Sequence, residues 1–281
     1  MSPHTDNRIV VGYDSYADAR TALTWAARTA LLTDQPIVVV IATAADDLVP
    51  QHSVLSGDRA DEARASAERI LKEAHLTDVA VELHQGPAVP VLIEASRGAA
   101  LLVVGSRGYG QMAGVLTGSV SQHLARHAEC PVVVARQMHH PESGRIVVGV
   151  DGSGGSVAAV EFACRRAEDT GEEVVLIHGW HDASATGTTR REVPARFMER
   201  IAVEERQLAD QLMRVRADHP TLRLEAEAIP VAAWRVLADA SANASLVVVG
   251  SRGRGAFTGM LLGSVSQQVM QHAQCPVAIV R

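Results

Sequence analysis

The chain has 281 residues, 47% apolar and 21% charged, with a formal net charge of −6, a length and composition that predict roughly two globular domains. A pI near 6.0 argues against a nucleic-acid or anionic-membrane partner, since either would want a basic face. Three cysteines make an odd count that suggests no disulfide framework, so a reducing cytoplasm is the expected setting.

Met1 to Arg8 has no apolar stretch of the kind a signal peptide needs. From Ile9 to Asp14 runs a continuous apolar segment that ends in an acid, followed by a helical pattern from about Ala17 to Leu32 with Ala22, Trp25, Ala26 and Thr29 on one face. Ile37 to Ala42 is β-branched and apolar on both faces, as in a central parallel strand. The longest apolar runs, such as Ile37 to Ala45, are less than half the ~20 residues that span a bilayer. Asp58 to His75 is an amphipathic helix, with Ala60, Ala63, Ala67, Ile70, Leu71 and Ala74 in its apolar stripe. Val79 to His84 alternates, which suits a strand nearer an edge. Ala88 to Arg97 is a short helix closed by Gly98. A buried strand at Leu101 to Val104, a glycine loop, a helix at Ser119 to His127 and a strand at Val132 to Ala135 complete the first set.

Then the order repeats. Arg8 to Asp14 returns as Arg145 to Asp151, identical at 6 of 7 positions, and Gly105 to Val132 returns as Gly250 to Val277, identical at 17 of 28. Strands are predicted near Ile146–Asp151, Val174–His178, Leu222–Ala228, Leu246–Val249 and Val277–Val280. The offset grows from 137 to 145, and the polar loop Asp182 to Arg191 is the expected home of the extra residues. A period this long describes a duplicated domain, far beyond a solenoid unit. The expected division is 1–137, a short polar linker at 138–144, and 145–281, the two halves packed as an internal pseudo-dimer.

Alternating buried strands and helices predict an α/β fold: two tandem open, doubly wound parallel sheets. Ligands of such sheets bind beyond the carboxyl ends of the strands, where strand order reverses. Those ends carry Asp14, Ala42 and Gly105 in one half, and Asp151, Gly179 and Gly250 in the other.

After the fourth strand comes Gly105-x2-Gly108-x9-Gly118-Ser119, and again Gly250-x2-Gly253-x9-Gly263-Ser264. Glycines there permit positive φ and close approach of backbone to a ligand. Successive N–H groups, with a helix opened by Ser119 or Ser264, make a phosphate cradle. No Walker A lysine follows Gly118 or Gly263, and no Rossmann glycine fingerprint follows the first strand. An aspartate ending the first strand suits a ribose or adenine contact, or a water-mediated Mg2+.

These motifs resemble the universal stress protein family, in its nucleotide-binding form, over 8–136 and 145–281. The resemblance implies an adenine nucleotide alpha hydrolase-like sheet of order 3-2-1-4-5 holding ATP (or AMP or ADP), with Mg2+ admitted alongside. It implies nucleoside contacts from Asp14 and Asp151, and adenine held by main chain at Ile41-Ala42 and Ile177-His178. It implies phosphates on Gly105, Gly108, Gly118, Ser119, Val120 and Ser121, and on Gly250, Gly253, Gly263, Ser264, Val265 and Ser266, with Arg107 and Arg252 in reach. The family's dimers pair through their last strands, here Val132–Ala135 and Val277–Val280. The chain departs from the family in carrying Ala100 and Ser245 where an aspartate often precedes the fourth strand. Thr43 stands where the second copy has Trp180, and Trp180 and His178 are candidates to contact the base in the second site alone, which would make the sites unequal.

Other residues read more plainly. His123 and His127 have the i, i+4 spacing of metal ligands but no third ligand is evident, so no metal site is expected. Cys130 and Cys275 read as small buried residues, with a redox switch left open, and Cys164 faces its core. No nucleophile elbow or metalloprotease motif is present. The function expected is a cytoplasmic ATP-binding stress or dormancy regulator with one nucleotide site per repeat, at most slow hydrolysis, and an unidentified regulatory protein partner. A non-nucleotide-binding interaction scaffold, a weak ATPase and a further homodimer stay open.

Overall fold

The computed structural model describes residues 7–44, 55, 57–107, 118–138, 143–180, 195–255 and 261–281. The chain forms two compact units, one reaching to Gln137 and including Pro276–Arg281, the other spanning Met138–Cys275.

In the first unit β1 (Ile9–Gly12), β2 (Ile37–Thr43), β3 (Val79–Gln85), β4 (Leu101–Gly105) and β5 (Val132–Ala135) lie in the order β3-β2-β1-β4-β5, each pair parallel. Ile9, Val10, Val11 and Ile41 are fully buried, which is why these strands read as apolar on both faces. Each such residue contributes about 1.5–3 kcal/mol by burial. The third strand, β3, is almost wholly exposed, as its alternating sequence predicts for an edge. Between the strands run α1 (Ala17–Thr33), α2 (Gly57–Glu73), α3 (Ala88–Ala95) and α4 (Ser119–His127). α1 packs with α2 and α3 with α4, so the sheet carries helices on both faces. Gly98 closes the turn after α3 with φ +71. The chain's last strand, β10 (Val277–Val280), joins this unit antiparallel to β5, with Ala278 opposite Val133.

The second unit holds β6 (Arg145–Gly149), β7 (Glu173–Gly179), β8 (Leu224–Ile229) and β9 (Leu246–Gly250) in the order β9-β6-β7-β8, again parallel. Its helices are α5 (Gly154–Thr170), α6 (Ala195–Asp218), α7 (Ala233–Ala240) and α8 (Ser264–His272). The added length of this repeat was expected in the polar loop at 182–191, which lies outside the described residues. Most of it goes into a helix instead: α6 has 24 residues where α2 has 17. An amphipathic pattern continues through those turns, burying Leu208 and Val215 while Met198 and Met213 face solvent. No described helix is long and apolar enough to cross a membrane.

Candidate functional site

Strand order reverses in each unit beside the first strand, so a crevice is expected past the ends of β1 and β6. In the second unit that crevice is a cavity of about 280 Å³, close to the ~300 Å³ at which small-molecule sites begin. One wall is the end of β6 with Asp151, Ser153 and Ser156; the other is the loop after β9 with Gly250, Arg252, Gly253 and Arg254. The N-terminus of α8, with Gly263, Ser264, Val265 and Ser266, closes it, and Ile177 lines its floor.

Asp151 organises this cavity. Its Oδ1 accepts from the Ser153 N–H at 2.9 Å and the Ser153 hydroxyl at 2.6 Å, and its Oδ2 accepts from the Arg254 N–H at 2.9 Å. Burial alone would push this carboxyl up; the hydrogen bonds from Ser153 and Arg254 outweigh it and hold it below the ordinary carboxylate value. The acid ending the first strand therefore anchors the glycine loop. In the first unit Asp14 Oδ1 accepts from the Tyr16 N–H at 3.1 Å, and Gly108 lies outside the described residues.

The loop glycines were expected to permit positive φ and a close approach of backbone to a ligand. None of the described ones adopts positive φ: Gly105, Gly118, Gly250, Gly253 and Gly263 are absent from the positive-φ positions, and Gly118 and Gly263 are extended at φ −72 and −73. Close approach is the reason for glycine here. A Cβ on Gly250 would stand 2.6 Å from the Gly155 backbone, one on Gly105 2.7 Å from that of Asp18, and one on Gly253 2.4 Å from the Asp151 carboxylate. Gly118 and Gly263 are also the N-caps of α4 and α8, with no side-chain oxygen to offer. The first-turn N–H groups of both helices are thus left for another acceptor.

Ser119 and Ser264 are exposed at the first turn, and Val120 and Val265 are half-buried behind them. Ser121 and Ser266 point inward and act as struts. Ser121 donates to the Gly118 carbonyl at 2.9 Å, and Ser266 to the Gly250 carbonyl at 2.7 Å. Arg252 is exposed at the cavity mouth. Arg254, which sequence reasoning passed over, lines the same cavity, its guanidinium lying over Gly152. The mismatch between Arg254 and Tyr109 in otherwise matching loops was the available signal.

The adenine-side expectations need correction. Gly12 pairs with Val40 and Gly149 with Ile177, so Ile41-Ala42 corresponds to His178-Gly179 and not to Ile177-His178. A slip of one residue exchanges the two faces of a strand. The His178 side chain accordingly leaves the cavity and faces α6. Its Nδ1 lies 2.7 Å from the Val150 carbonyl and its Nε2 3.1 Å from Glu204 Oε2. Trp180 is buried against α6 as well, its ring 5.6 Å from that of Phe197 and under the Arg200 guanidinium. It lines neither this cavity nor the neighbouring one of about 470 Å³ between α5 and α6.

The first unit differs past the end of β2. The Val40 carbonyl accepts from the Tyr13 N–H at 3.0 Å, so Val40 turns its polar groups toward β1. Two residues on, Ala42 and Ala44 turn theirs the same way, now beyond the end of β1. There Leu55 bonds both: its N–H donates to the Ala42 carbonyl at 3.1 Å and its carbonyl accepts from the Ala44 N–H at 3.0 Å. Leu55 itself is buried. On α1, Asp18 Oδ2 accepts from the Ser106 hydroxyl at 2.6 Å and from Arg107 Nε at 3.3 Å. The second unit has Gly155 at the position of Asp18.

His123 Nδ1 lies 2.8 Å from the Ser119 carbonyl, and its ring stacks on His127. All three cysteines are buried, and none is in a disulfide. Burial pushes the Cys130 and Cys164 thiols up to about 12, which suppresses the thiolate a redox switch needs.

Comparison with known proteins agrees with the duplication. The profile of the Universal stress protein family matches twice, over residues 7–136 and 142–281. Universal stress protein Rv2623 of Mycobacterium tuberculosis is 34% identical, covering 97% of this chain and 96% of its own. Universal stress protein Rv2005c of the same organism is also 34% identical, over 99% of this chain and 98% of its own. Among solved structures, a universal stress protein from Archaeoglobus fulgidus superposes with a TM-score of 0.66 at 21% identity, covering 98% of both chains.

Proposed function

The chain belongs to the universal stress protein family as a tandem member, and from that premise we propose that it is a cytoplasmic regulator that binds an adenine nucleotide, with at most slow hydrolysis. The observation that carries this reading is the second unit's cavity at the switch point, where one wall is a fixed carboxylate and the other an anion cradle. Asp151 offers acceptor oxygens to a ribose. The uncapped N-terminus of α8 offers N–H donors, and Arg252 and Arg254 offer positive charge, all of which favour a polyphosphate. Mg2+ would accompany the phosphates. Fast phosphoryl transfer also needs a positioned base, and among the cavity-lining residues the one carboxylate, Asp151, is held by its own loops. Ligand bridging β6, the glycine loop and α8 would order that surface and shift a protein partner's equilibrium by its differential affinity.

The test is to denature protein purified from a heterologous host and to quantify released nucleotide by chromatography and mass spectrometry. ATP, ADP or AMP is expected in the supernatant. Absence of nucleotide, together with no thermal shift on adding ATP and Mg2+, would sink the binding reading and leave an interaction scaffold.

A further inference from the structure

We propose that the first repeat's crevice is occupied by the protein's own chain, Leu55 at the base end and Asp18 at the phosphate end, so that each chain takes up one nucleotide, in the second repeat. The inference rests on the binding reading above and narrows it. In an open sheet of this order, the main chain of β2 past the end of β1 is the polar edge that faces the crevice. In the first unit that edge is already paired: the Ala42 carbonyl and the Ala44 N–H both bond Leu55. An incoming base would have to displace two hydrogen bonds and a buried leucine.

The opposite end is closed by charge. The Asp18 carboxylate sits on the first turn of α1 and takes hydrogen bonds from Ser106 and Arg107, the two residues that follow β4. It sets a negative charge against the loop that would cradle phosphates, and that charge would repel an arriving polyphosphate. Arg107, the cation in reach of that loop, is engaged by it. The second unit has no side chain at this place, because Gly155 replaces Asp18. Its α5 backbone comes so close to the loop that a Cβ there would lie 2.5 Å from the Arg252 carbonyl. Charge follows the same division: the second cavity gathers Arg252 and Arg254 beside Asp151, while in the first unit Arg107 is paired with the added carboxylate of Asp18.

The experiment is isothermal titration calorimetry of the full chain, stripped of nucleotide, with ATP and Mg2+. One ATP per chain is expected. Two per chain would overturn the inference and leave the binding reading intact, whereas no uptake would overturn both. Gly263→Leu, which projects a side chain into the second cavity, should abolish uptake. Arg254→Glu, a change at an exposed residue that leaves its N–H in place for Asp151, should weaken uptake at least tenfold. Uptake unchanged in both variants would put the ligand in the first repeat and refute the assignment. The double variant Asp18→Gly, Leu55→Pro removes the carboxylate and the N–H that holds Ala42, and should raise the count from one to two. A folded double variant that stays at one would refute Leu55 and Asp18 as the occupants.

Discussion

Asp18 in the first repeat and Gly155 in the second occupy the same turn of the same helix, and the two crevices diverge from there. In the second, α5 lies against the glycine loop with no side chain between them, Asp151 holds the loop through the Arg254 N–H, and a cavity remains. In the first, a carboxylate stands between helix and loop, and Leu55 completes the hydrogen bonding beyond β1. Duplication preserves the scaffold because the strands and loop glycines are fixed by packing. The copies differ where the first helix meets the glycine loop, with Asp18 in one and a closely packed Gly155 in the other.

The largest effects should be the ones the two repeats share. Gly105→Val and Gly250→Val each drive a side chain into the backbone of the facing helix at 2.6–2.7 Å, and each should destabilise its unit by about 3 kcal/mol, read from urea denaturation midpoints. A marked inequality would break the structural equivalence on which the comparison stands. Asp151→Ala comes next. It removes three hydrogen bonds at a half-buried carboxylate and should cost about 1–2 kcal/mol along with nucleotide retention. Because folding lowers the pKa of Asp151, its stabilisation is complete above the unfolded carboxylate value and is lost as pH falls through the lowered one. Asp151→Asn should therefore flatten that acid limb in pH-dependent denaturation.

A mirrored pair of backbone changes gives smaller effects of opposite sign. Ser15 and Gly152 follow the site aspartates at φ +67 and +75. Gly152→Ala should destabilise by about 1–2 kcal/mol, and Ser15→Gly should stabilise by less than about 1 kcal/mol. The smallest effect is confined to the second repeat. His219 Nδ1 lies 2.7 Å from Glu168 Oε1, and its Nε2 3.5 Å from Glu161. The Glu168 hydrogen bond, against an opposing desolvation, raises the histidine above its ordinary value. Its contribution is present below the unfolded pKa of ~6.5 and is lost as pH rises through the raised value. His219→Ala should cost less than about 1 kcal/mol at pH 6, and the difference from the parent chain should vanish at alkaline pH.

The strands were legible because a β-branched run apolar on both faces has few other homes, and α4 from Ser119 to His127 reads directly from its pattern. The loops were legible in position, and of the two causes read for their glycines only close approach holds among the described ones, toward the chain's own backbone, since sequence cannot separate it from positive φ. The added residues of the second repeat were assigned to polar loop because polarity marks an exposed helix face and a loop equally. Asp18 reads as an ordinary acid in a helix's first turn, favourable to the dipole. Nothing local reveals that Ser106 and Arg107, 88 and 89 residues away, will bond it. Leu55 was invisible for the same reason: one buried leucine carries no periodicity.

The pairing of β10 with β5 has a consequence for how the protein is made. Synthesis proceeds from the first residue, and domains generally fold as they emerge. The strand that covers the Val132–Ala135 edge, however, is Val277–Val280, at the far end of the second repeat. Until Val277–Val280 emerge, the first repeat presents a bare strand of valines, the kind of edge that recruits other chains. Its completion waits on Val277–Val280, so a nascent chain stalled anywhere earlier in the second repeat would carry a sticky first half, and a truncation that removes this strand would injure the repeat made long before it.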